Sequence, residues 1–369
     1  HSTGELSAKD DLNITVGRNR IDAVTGNVVE HLAAAPSSID AQLFGAMHAG
    51  RIRVVSTGEG AGVRVGAVQV NGRDGVSIGS AGDLFISGEP GQAATLRSEQ
   101  GLLALQAMDN LTLRAVDGQA KRIEAKAGQQ LTLDTTTRET IAREQENWDK
   151  GWWFVTTETY NRDRTSTERT LQGTTLQADE AVQLQSGGDL RMVAATLTSA
   201  GQINLVSGGK LDIDAGVDSK RVEQSIRHRK HLWNGDSDSD DYQETARGSR
   251  LQAGQVSASA SGAITIRGSE VHSQNDALLQ SDQGSLQVTS GQTQSSSHSH
   301  SRDSKLFGLI STSKDDAEQH EQAQGSEVQA QSNLHLASAE QMRIHGSRLK
   351  AGQQLKVEAK GDLLIDSAQ

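Results

Sequence analysis

A five-residue pattern of glycine, polar, aliphatic, polar and aliphatic residues recurs through the chain at uneven intervals. It occurs three times between residues 187 and 215, as Gly188–Met192, Gly201–Leu205 and Gly209–Ile213. In three separate blocks, the first aliphatic positions of this phrase are spaced by 8, then by 13 or 14, then by 8. The blocks are Val182, Leu190, Ile203 and Leu211; Val256, Ile264, Leu278 and Leu286; and Leu334, Met342, Leu355 and Leu363. Two successive steps add up to a period of roughly 21 residues, and a fixed period of this length is typical of stacked structural repeats.

Side chains alternate inside each phrase, so that Leu211 and Ile213 point to one face of a strand and Lys210 and Asp212 to the other. Two or three such strands per period, joined at corners, predict an all-β parallel β-helix. One coil alone cannot bury its aliphatic face, but a stack of coils can. The corners are predicted to need positive φ, which favours the glycines that open the phrase. These are Gly82, Gly188, Gly201, Gly209, Gly262, Gly284 and Gly361.

A longer repeat contains the coils. Gly173, Gly248 and Gly325 open related segments at intervals of 75 and 77 in the numbering. Each long repeat is therefore about two coils plus an excursion of roughly 35 residues, which we predict to be a projecting β-hairpin. The hairpin insertions are predicted near residues 135–170, 216–247 and 291–324.

The three excursions align on a lysine that is followed by apolar residues. The lysines are Lys150, Lys230 and Lys305. Aromatic residues make up only 3% of the chain, yet all four tryptophans and both tyrosines lie in these excursions. Exposed aromatic side chains on a polar stalk are typical interface anchors. The candidate partner-binding residues are Trp148, Trp152, Trp153, Trp233 and Phe307. The alternative interpretation is that these rings fold back on the β-helix or pack hairpin against hairpin.

Charge and composition exclude several classes of function. The net charge of −11 argues against nucleic-acid binding. The absence of cysteine excludes disulfides and thiolate metal sites. No apolar run approaches the roughly 18 residues of a membrane span, so no stable span is expected in this sequence. No feature predicts a cofactor.

Two stretches resemble the filamentous haemagglutinin family of two-partner secretion exoproteins, which includes the contact-dependent growth inhibition effectors. The first is IDAQLFGAMHAGRIRVVSTGEGAGVRV, residues 39–65, which is similar to the segment that closes the secretion domain of the family and leads into its shaft. The second is the array of coil pairs and excursions from about residue 98 onward. We therefore expect residues 1–97 to be a β-helix segment at the end of a secretion domain, and 98–369 to be a haemagglutinin-type repeat region.

The resemblance implies a right-handed β-helix that is exported through a TpsB-type outer-membrane transporter. It implies a location that is secreted or on the outer-membrane surface of a Gram-negative bacterium. The expected function is a structural shaft that presents an adhesin, or a contact-dependent growth inhibition toxin, to a target cell. The runner-up is a module that itself binds a receptor or the target envelope through its aromatic hairpins.

Three other groups of residues are candidate chemical sites. His298 and His300 alternate along a strand and could ligate a metal, but an exposed hairpin arm is the favoured interpretation. The acidic run 236–241 lacks the glycine and the closing glutamate of an EF-hand loop, and we expect a solvated turn that balances the basic run 227–231. Asp189, Asp212 and Asp362 occupy related coil positions, as the carboxylates of a polysaccharide-cleaving β-helix would. No metal site and no enzyme activity are predicted.

Overall fold

The chain is an all-β protein in the computed structural model, which describes residues 4–17, 19–22, 28–31, 41–58, 62–66, 68–153, 155–231, 233–305 and 309–367. Within these ranges the chain forms 35 strands and no helix. Accordingly, the described residues include no helix with the length and apolar character that a membrane span requires.

The strands follow one another along the chain with short connections. The first are β1 (Leu6–Ser7), β2 (Asp11–Val16), β3 (Asn19–Ile21), β4 (Val28–His31), β5 (Ala41–Leu43), β6 (Met47–Ser56), β7 (Val63–Val65), β8 (Gln69–Ser80), β9 (Leu84–Ser87), β10 (Ala94–Ser98), β11 (Leu102–Ala107), β12 (Leu111–Arg114), β13 (Val116–Ala127) and β14 (Leu131–Asp134). The next are β15 (Thr136–Trp152), β16 (Val155–Gln172), β17 (Thr175–Ser186), β18 (Leu190–Val193), β19 (Thr196–Ser207), β20 (Leu211–Asp214), β21 (Gly216–Lys230), β22 (Trp233–Arg247), β23 (Arg250–Ala260) and β24 (Ile264–Arg267). The last are β25 (Glu270–Ser273), β26 (Ala277–Ser281), β27 (Leu286–Thr289), β28 (Gly291–Lys305), β29 (Ile310–Gln324), β30 (Glu327–Ala330), β31 (Asn333–Ser338), β32 (Met342–His345), β33 (Arg348–Ala351), β34 (Gln354–Ala359) and β35 (Leu363–Asp366).

Two parallel sheets form the walls of a β-helix. The first has 11 strands in the order β5, β7, β9, β12, β14, β18, β20, β24, β27, β32 and β35. The second has 16 strands and runs alongside it. A typical coil gives one short strand to the first sheet and either one long strand or two shorter strands to the second. The predicted fold class, a parallel β-helix with hairpin excursions, is confirmed.

Columns of aliphatic side chains run along the inside of the stack. Leu190 pairs in register with Leu211, which in turn pairs with Ile264. The column formed in this way contains eight fully buried side chains: Leu84, Leu111, Leu131, Leu190, Leu211, Ile264, Leu286 and Met342. Burial of each such side chain contributes about 1.5–3 kcal/mol. The core is therefore a set of ladders along the axis, and each coil depends on its two neighbours.

One position of the predicted period is wrong. Ala277, not Leu278, occupies the inner ladder of the second sheet, because Ala277 pairs with Val256 and Leu334 and is buried. Leu278 is only half-buried and points to the other side of the strand. The coil therefore runs from Val256 to Ala277 and keeps its regular length. The sequence predicted a coil one residue longer, which would have placed Leu278 in the ladder.

Positive φ at the phrase-opening glycines is also wrong. Among the residues that the structure describes, the glycines with positive φ are Gly17, Gly91, Gly268 and Gly346. At several of the phrase positions, glycine is needed for close approach between coils instead. A Cβ at Gly201 would lie 2.1 Å from the carbonyl oxygen of Glu180 in the coil below, and one at Gly188 would lie 2.9 Å from that of Gln129. Contact between coils, and not backbone conformation, therefore requires glycine at these corners.

The three excursions form β-hairpins, made by β15 with β16, β21 with β22, and β28 with β29. The hairpins do not project separately, because β16 also pairs with β21 and β22 with β28. All six strands form one antiparallel sheet in the order β15, β16, β21, β22, β28 and β29, which we call the hairpin sheet. The sequence predicted the hairpins but not their joining into one sheet.

The joining follows from a match of spacings. Two steps of the first sheet separate the hairpins, from β14 to β20 and from β20 to β27. Each hairpin adds two strands to the hairpin sheet. Because neighbouring strands lie about 4.8 Å apart in both structures, two coils and two hairpin strands each advance by roughly 10 Å along the axis. Successive hairpins therefore meet edge to edge without bending the β-helix.

The coils continue across residue 97, since Leu84 pairs with Leu111 in the next coil. Residues 41–43, 47–56 and 63–65, within the stretch that carries the first resemblance, are strands of the same stack. The division of the chain at residue 97, and the assignment of residues 1–97 to the end of a secretion domain, stay predictions.

Replacing Gly208 by alanine is expected to destabilise the β-helix by about 1–3 kcal/mol. The physical reason is that the added Cβ would lie 2.0 Å from the carbonyl oxygen of Gly187 in the coil below. Urea unfolding followed by far-UV circular dichroism measures the change. Gly75→Ala is the matched control, because its nearest atom would lie 3.6 Å away. Equal stability of the two variants would contradict the role of close coil contact.

Candidate functional site

At its base the hairpin sheet is closed by hydrogen bonds between its own strands and is tied to the β-helix by a further one. Arg247 donates a hydrogen bond of 2.6 Å to the carbonyl oxygen of Leu171, and the backbone N–H of Leu171 donates one of 2.6 Å to Asp218. The backbone N–H of Gly91, in a turn of the β-helix, donates to the side chain of Gln172. At about 3.4 Å per residue, the 15 to 18 residues of each strand extend the sheet by roughly 50 Å from this base. The far end, with the three hairpin turns, is the distal end.

Three lysines share one row at the distal end. The cross-strand register places directly opposite one another the residues Lys150, Glu158, Lys230, Trp233, Lys305 and Ile310. Directly paired residues of neighbouring strands point to the same face of a sheet. This set, which we call the distal row, therefore carries three exposed lysines on one face, two strands or about 10 Å apart.

An aromatic cluster lies on the same face. It extends from the distal row to the next row on that face, which lies two residues nearer the base. The rings of Trp148 and Tyr160 are stacked with centroids 5.3 Å apart. The ring of His228 lies edge-on to both, at 6.1 and 5.7 Å, and to Trp233 at 4.9 Å. Gly235 makes room for this arrangement, since a Cβ there would lie 2.7 Å from the Trp233 ring. The aromatic cluster of Trp148, Tyr160, His228 and Trp233 thus joins the first hairpin to the second.

Hydrogen bonding and charge order this part of the face. His228 donates a 2.7 Å hydrogen bond from Nε2 to the carboxylate of Glu158. That hydrogen bond lowers the pKa of Glu158 below its ordinary value, and the positive charges of Lys230 and Lys150 act in the same direction. The Lys150 ammonium also lies 4.9 Å from the centroid of the Trp148 ring, in a cation–π contact. The carboxylate of Glu158 is therefore held among cationic groups.

Large hydrophobic side chains are exposed at the distal row and beyond it. Trp152 is 81% exposed and Trp153 87%, with their rings stacked at 6.3 Å. Leu309 is 85% exposed and Ile310 55%. Trp153, Leu309 and Trp152 are the most exposed large hydrophobic side chains in the part of the chain that the structure describes. We call Trp152, Trp153, Leu309 and Ile310 the apolar tips.

The predicted binding residues fall into two groups. Trp148 and Trp233 belong to the aromatic cluster between hairpins, whereas Trp152 and Trp153 are exposed at the first turn. Phe307 lies outside the described residues. Their role in binding a partner stays a prediction.

Sequence reasoning missed Tyr160, His228 and the alignment of the lysines on one face. The lysine that the three excursions share was a sequence signal for this alignment. The sequence does not show that the hairpins pair side by side, and this pairing is what brings the three lysines to one surface.

The acidic run and the histidine pair lie within the hairpin strands, where their side chains contact residues of neighbouring strands. The acidic run is not a turn, because Asp236, Asp238, Asp240 and Asp241 lie in β22, where Arg221 donates two hydrogen bonds to Asp240. Arg221 lowers the pKa of Asp240, chiefly through these hydrogen bonds. His300 contacts the carboxylate of Asp315 on β29. Among the described residues, no group of three or more histidine or carboxylate side chains is placed to hold a metal ion.

Of the coil carboxylates, Asp189 is part of a corner. Its Oδ1 accepts a 2.8 Å hydrogen bond from the backbone N–H of Lys210 in the next coil. Asp83 makes the equivalent contact to the backbone N–H of Asn110 before another strand of the first sheet, and Asp276 makes a similar contact to Asn333 at a corner before the second sheet. This corner contact accounts for the aspartates at positions 83 and 189, whereas Asp212 lies within β20.

Comparison with known proteins adds a family and distant relatives. The model of the hemagglutinin repeat family matches residues 153–228 and 233–369, more than half of the chain. A hemolysin of Serratia marcescens is 23% identical over 393 residues, covering 97% of this chain and 24% of the relative. A hemolysin of Proteus mirabilis is 23% identical over 375 residues, covering 90% of this chain and 23% of the relative. The chain thus spans about a quarter of the length of these relatives. No solved structure is significantly similar to it.

Acid is expected to loosen the aromatic cluster through Glu158. Because the folded-state pKa of Glu158 is lowered, its contribution to stability is present above the unfolded pKa of about 4.3 and is lost as the pH falls through the folded value. Near-UV circular dichroism of the parent should therefore change below about pH 4.3 more than that of Glu158→Gln. Glu321→Gln, on the edge strand β29, serves as control and should show the same spectral change in acid as the parent. Identical profiles for all three proteins would refute the role of Glu158.

Proposed function

The chain belongs to the hemagglutinin repeat family, and on that premise we propose that it is a shaft segment of a secreted, surface-displayed two-partner secretion exoprotein. The observation that carries the proposal is the unbroken column of buried aliphatic side chains from Leu84 to Met342. Eleven strands of the first sheet, at about 4.8 Å each, give a reach of roughly 50 Å along the axis. A stack that grows by equal steps is suited to set distance.

The stack also supports a proposal for export. Each coil completes its burial on the coil before it, so coils that emerge in order from a TpsB-type outer-membrane transporter would fold outside the cell one after another. Folding of this kind favours outward movement of the chain. The shaft would then stand on the outer-membrane surface of a Gram-negative bacterium, or be released, and present an adhesin or a contact-dependent growth inhibition toxin to a target cell.

A second function, binding to the target-cell surface, is favoured by the exposure of Trp152 and Trp153. A soluble sheet gains nothing from two indoles that are more than four-fifths exposed, whereas an interface anchor requires them. The two roles are compatible, since the β-helix gives reach and the hairpins give contact. The remote alternative, polysaccharide cleavage, predicts release of reducing sugar from surface glycans. The engagement of Asp189 in a corner supports the structural role over this alternative.

Removal of one long repeat is expected to leave a folded, shorter shaft. Excising residues 174–248 deletes two coils and the second hairpin, so that Ser249 follows Gly173. In the hairpin sheet, β28 then takes the position of β21 and pairs with β16. Cooperative thermal unfolding should persist, and small-angle scattering should report a stack about 10 Å shorter.

The comparison variant lacks a single coil, residues 175–195, so that Thr196 replaces its stacking partner Thr175. One coil advances the stack by about 4.8 Å, half of what the first two hairpins need to pair. This variant should lose the near-UV signal of the aromatic cluster, which joins those hairpins. If both deletions behave alike, the shaft is not built from two-coil units.

Binding to intact cells is expected to depend on the first hairpin turn. The variant Trp152→Ser/Trp153→Ser should bind bacterial and epithelial cells at least about tenfold more weakly than the parent, as expected for loss of aromatic anchors. Flow cytometry with fluorescently labelled protein measures the change. Met108→Ser, which removes a 61% exposed side chain from the β-helix, is the control and should bind like the parent. Unchanged binding of the double variant would leave the shaft as the only role.

A further inference from the structure

We propose that the distal end of the hairpin sheet docks on an anionic lipid surface. In this arrangement the apolar tips enter the interfacial layer of the bilayer, and Lys150, Lys230 and Lys305 bind headgroup phosphates. The inference rests on the second proposed function, binding to the target-cell surface, and names its partner. It assigns a single binding edge to three hairpins that lie far apart in the sequence.

The first argument is the position of the exposed apolar groups. Trp152, Trp153, Leu309 and Ile310 come from the first and third hairpins, and sheet pairing brings both turns to the same end of the sheet. Elsewhere the hairpin strands expose mainly polar and charged side chains on both faces. Apolar exposure on the sheet is thus concentrated where a flat surface could cover several turns at once.

The second argument is charge. The whole chain carries a net charge of −11, yet the distal segments 148–160, 226–236 and 301–314 hold seven basic and four acidic side chains. The basic residues are Lys150, Arg227, Arg229, Lys230, Arg302, Lys305 and Lys314, and the acidic ones are Asp149, Glu158, Asp236 and Asp303. A basic end on an acidic chain complements an anionic surface and orients the protein toward it.

The third argument is the order of the two layers. Lys150 lies two residues before Trp152 on the same strand, which is about 7 Å nearer the base. Indole rings prefer the boundary between headgroups and acyl chains, while lysine stems extend so that the ammonium group stays among phosphates. At the first hairpin, the separation of Lys150 from the turn therefore matches the thickness of the layer between phosphates and the start of the hydrocarbon.

The aliphatic tips distinguish lipid from acidic glycan. A sulfated or carboxylated glycan would use the lysines and could stack on Trp152 and Trp153. It would gain nothing from Leu309 and Ile310, which offer no flat ring and are 85% and 55% exposed. An acyl layer accepts indole and aliphatic side chains alike.

The test is co-sedimentation of the 369-residue chain with vesicles of phosphatidylcholine alone or mixed equally with phosphatidylglycerol. A soluble sulfated polysaccharide serves as competitor. The tip variant combines Trp152→Ser, Trp153→Ser, Leu309→Ser and Ile310→Ser. The charge variant combines Lys150→Gln, Lys230→Gln and Lys305→Gln. Met108→Ser/Leu364→Ser removes two apolar side chains, 61% and 51% exposed, from the β-helix and is the control. Far-UV circular dichroism melts establish that each variant is folded.

Binding to the anionic vesicles should exceed binding to phosphatidylcholine and fall with salt, and each test variant should bind at least about tenfold more weakly while the control is unchanged. Equal binding by the tip variant and the parent, or no vesicle binding at all, would overturn the lipid proposal. If the polysaccharide displaces the protein from the vesicles and the tip variant binds as tightly as the parent, the lysines would be assigned to binding acidic glycan instead. Binding to intact cells without binding to vesicles would overturn the lipid partner but leave the cell-binding function standing.

Discussion

The spacing of backbone hydrogen bonds between strands, about 4.8 Å, is the constraint on which the rest of this molecule depends. It fixes the rise of the β-helix per coil and, independently, the width that each strand adds to the hairpin sheet. A hairpin contains two strands, so it fits beside its neighbour only if two coils separate their bases. The chain meets this condition between β14 and β20 and again between β20 and β27. The interval from Gly173 to Gly248 is the length of chain that two coils and one long hairpin require.

The same spacing explains where the sequence is most constrained. Coils this close cannot accept a Cβ at corners such as Gly201, and they bury an aliphatic column that no coil could bury alone. Aspartates at the corners, among them Asp189, bind the backbone N–H of the next coil. The hairpin sheet has different requirements, because both of its faces meet water. It is held by pairing of long strands and by contacts between hairpins such as those of His228 with Trp148 and Trp233.

Prediction from sequence succeeded where the signal was local and failed where it depended on register between distant segments. Alternation within the phrase and the aliphatic period predicted the parallel β-helix, and the lysine-centred excursions predicted hairpins. The step to Leu278 was wrong because a small residue, Ala277, occupies the ladder and a larger neighbour points outward. The turn at 236–241 was wrong because pairing with β21 makes this acidic run part of a strand. The prediction of positive φ at the phrase-opening glycines was wrong, because glycine is needed at several of them for close contact between coils. The distal row could not be read from sequence, since the opposition of Glu158 and Lys230 follows from the rise of the β-helix.

Stability comes from the β-helix, whereas the exposed turns belong to the hairpin sheet, and this separation determines where a new function can arise. The aliphatic columns carry the stability of the fold, so substitutions there are costly, whereas side chains at the hairpin turns, such as Trp152, Trp153 and Leu309, are exposed and can change at little cost in stability. New surfaces can therefore be built at the hairpin turns without loss of the shaft. Lateral pairing then multiplies each surface, because every long repeat adds one more turn to the same edge, about 10 Å farther along. A weak contact at one turn, such as a lysine with an exposed indole, becomes strong when a row of turns meets one surface, since the later contacts form at high effective concentration. In the binding mode proposed here, the repeat that sets the length of the shaft would therefore also set the strength with which the edge of the hairpin sheet binds.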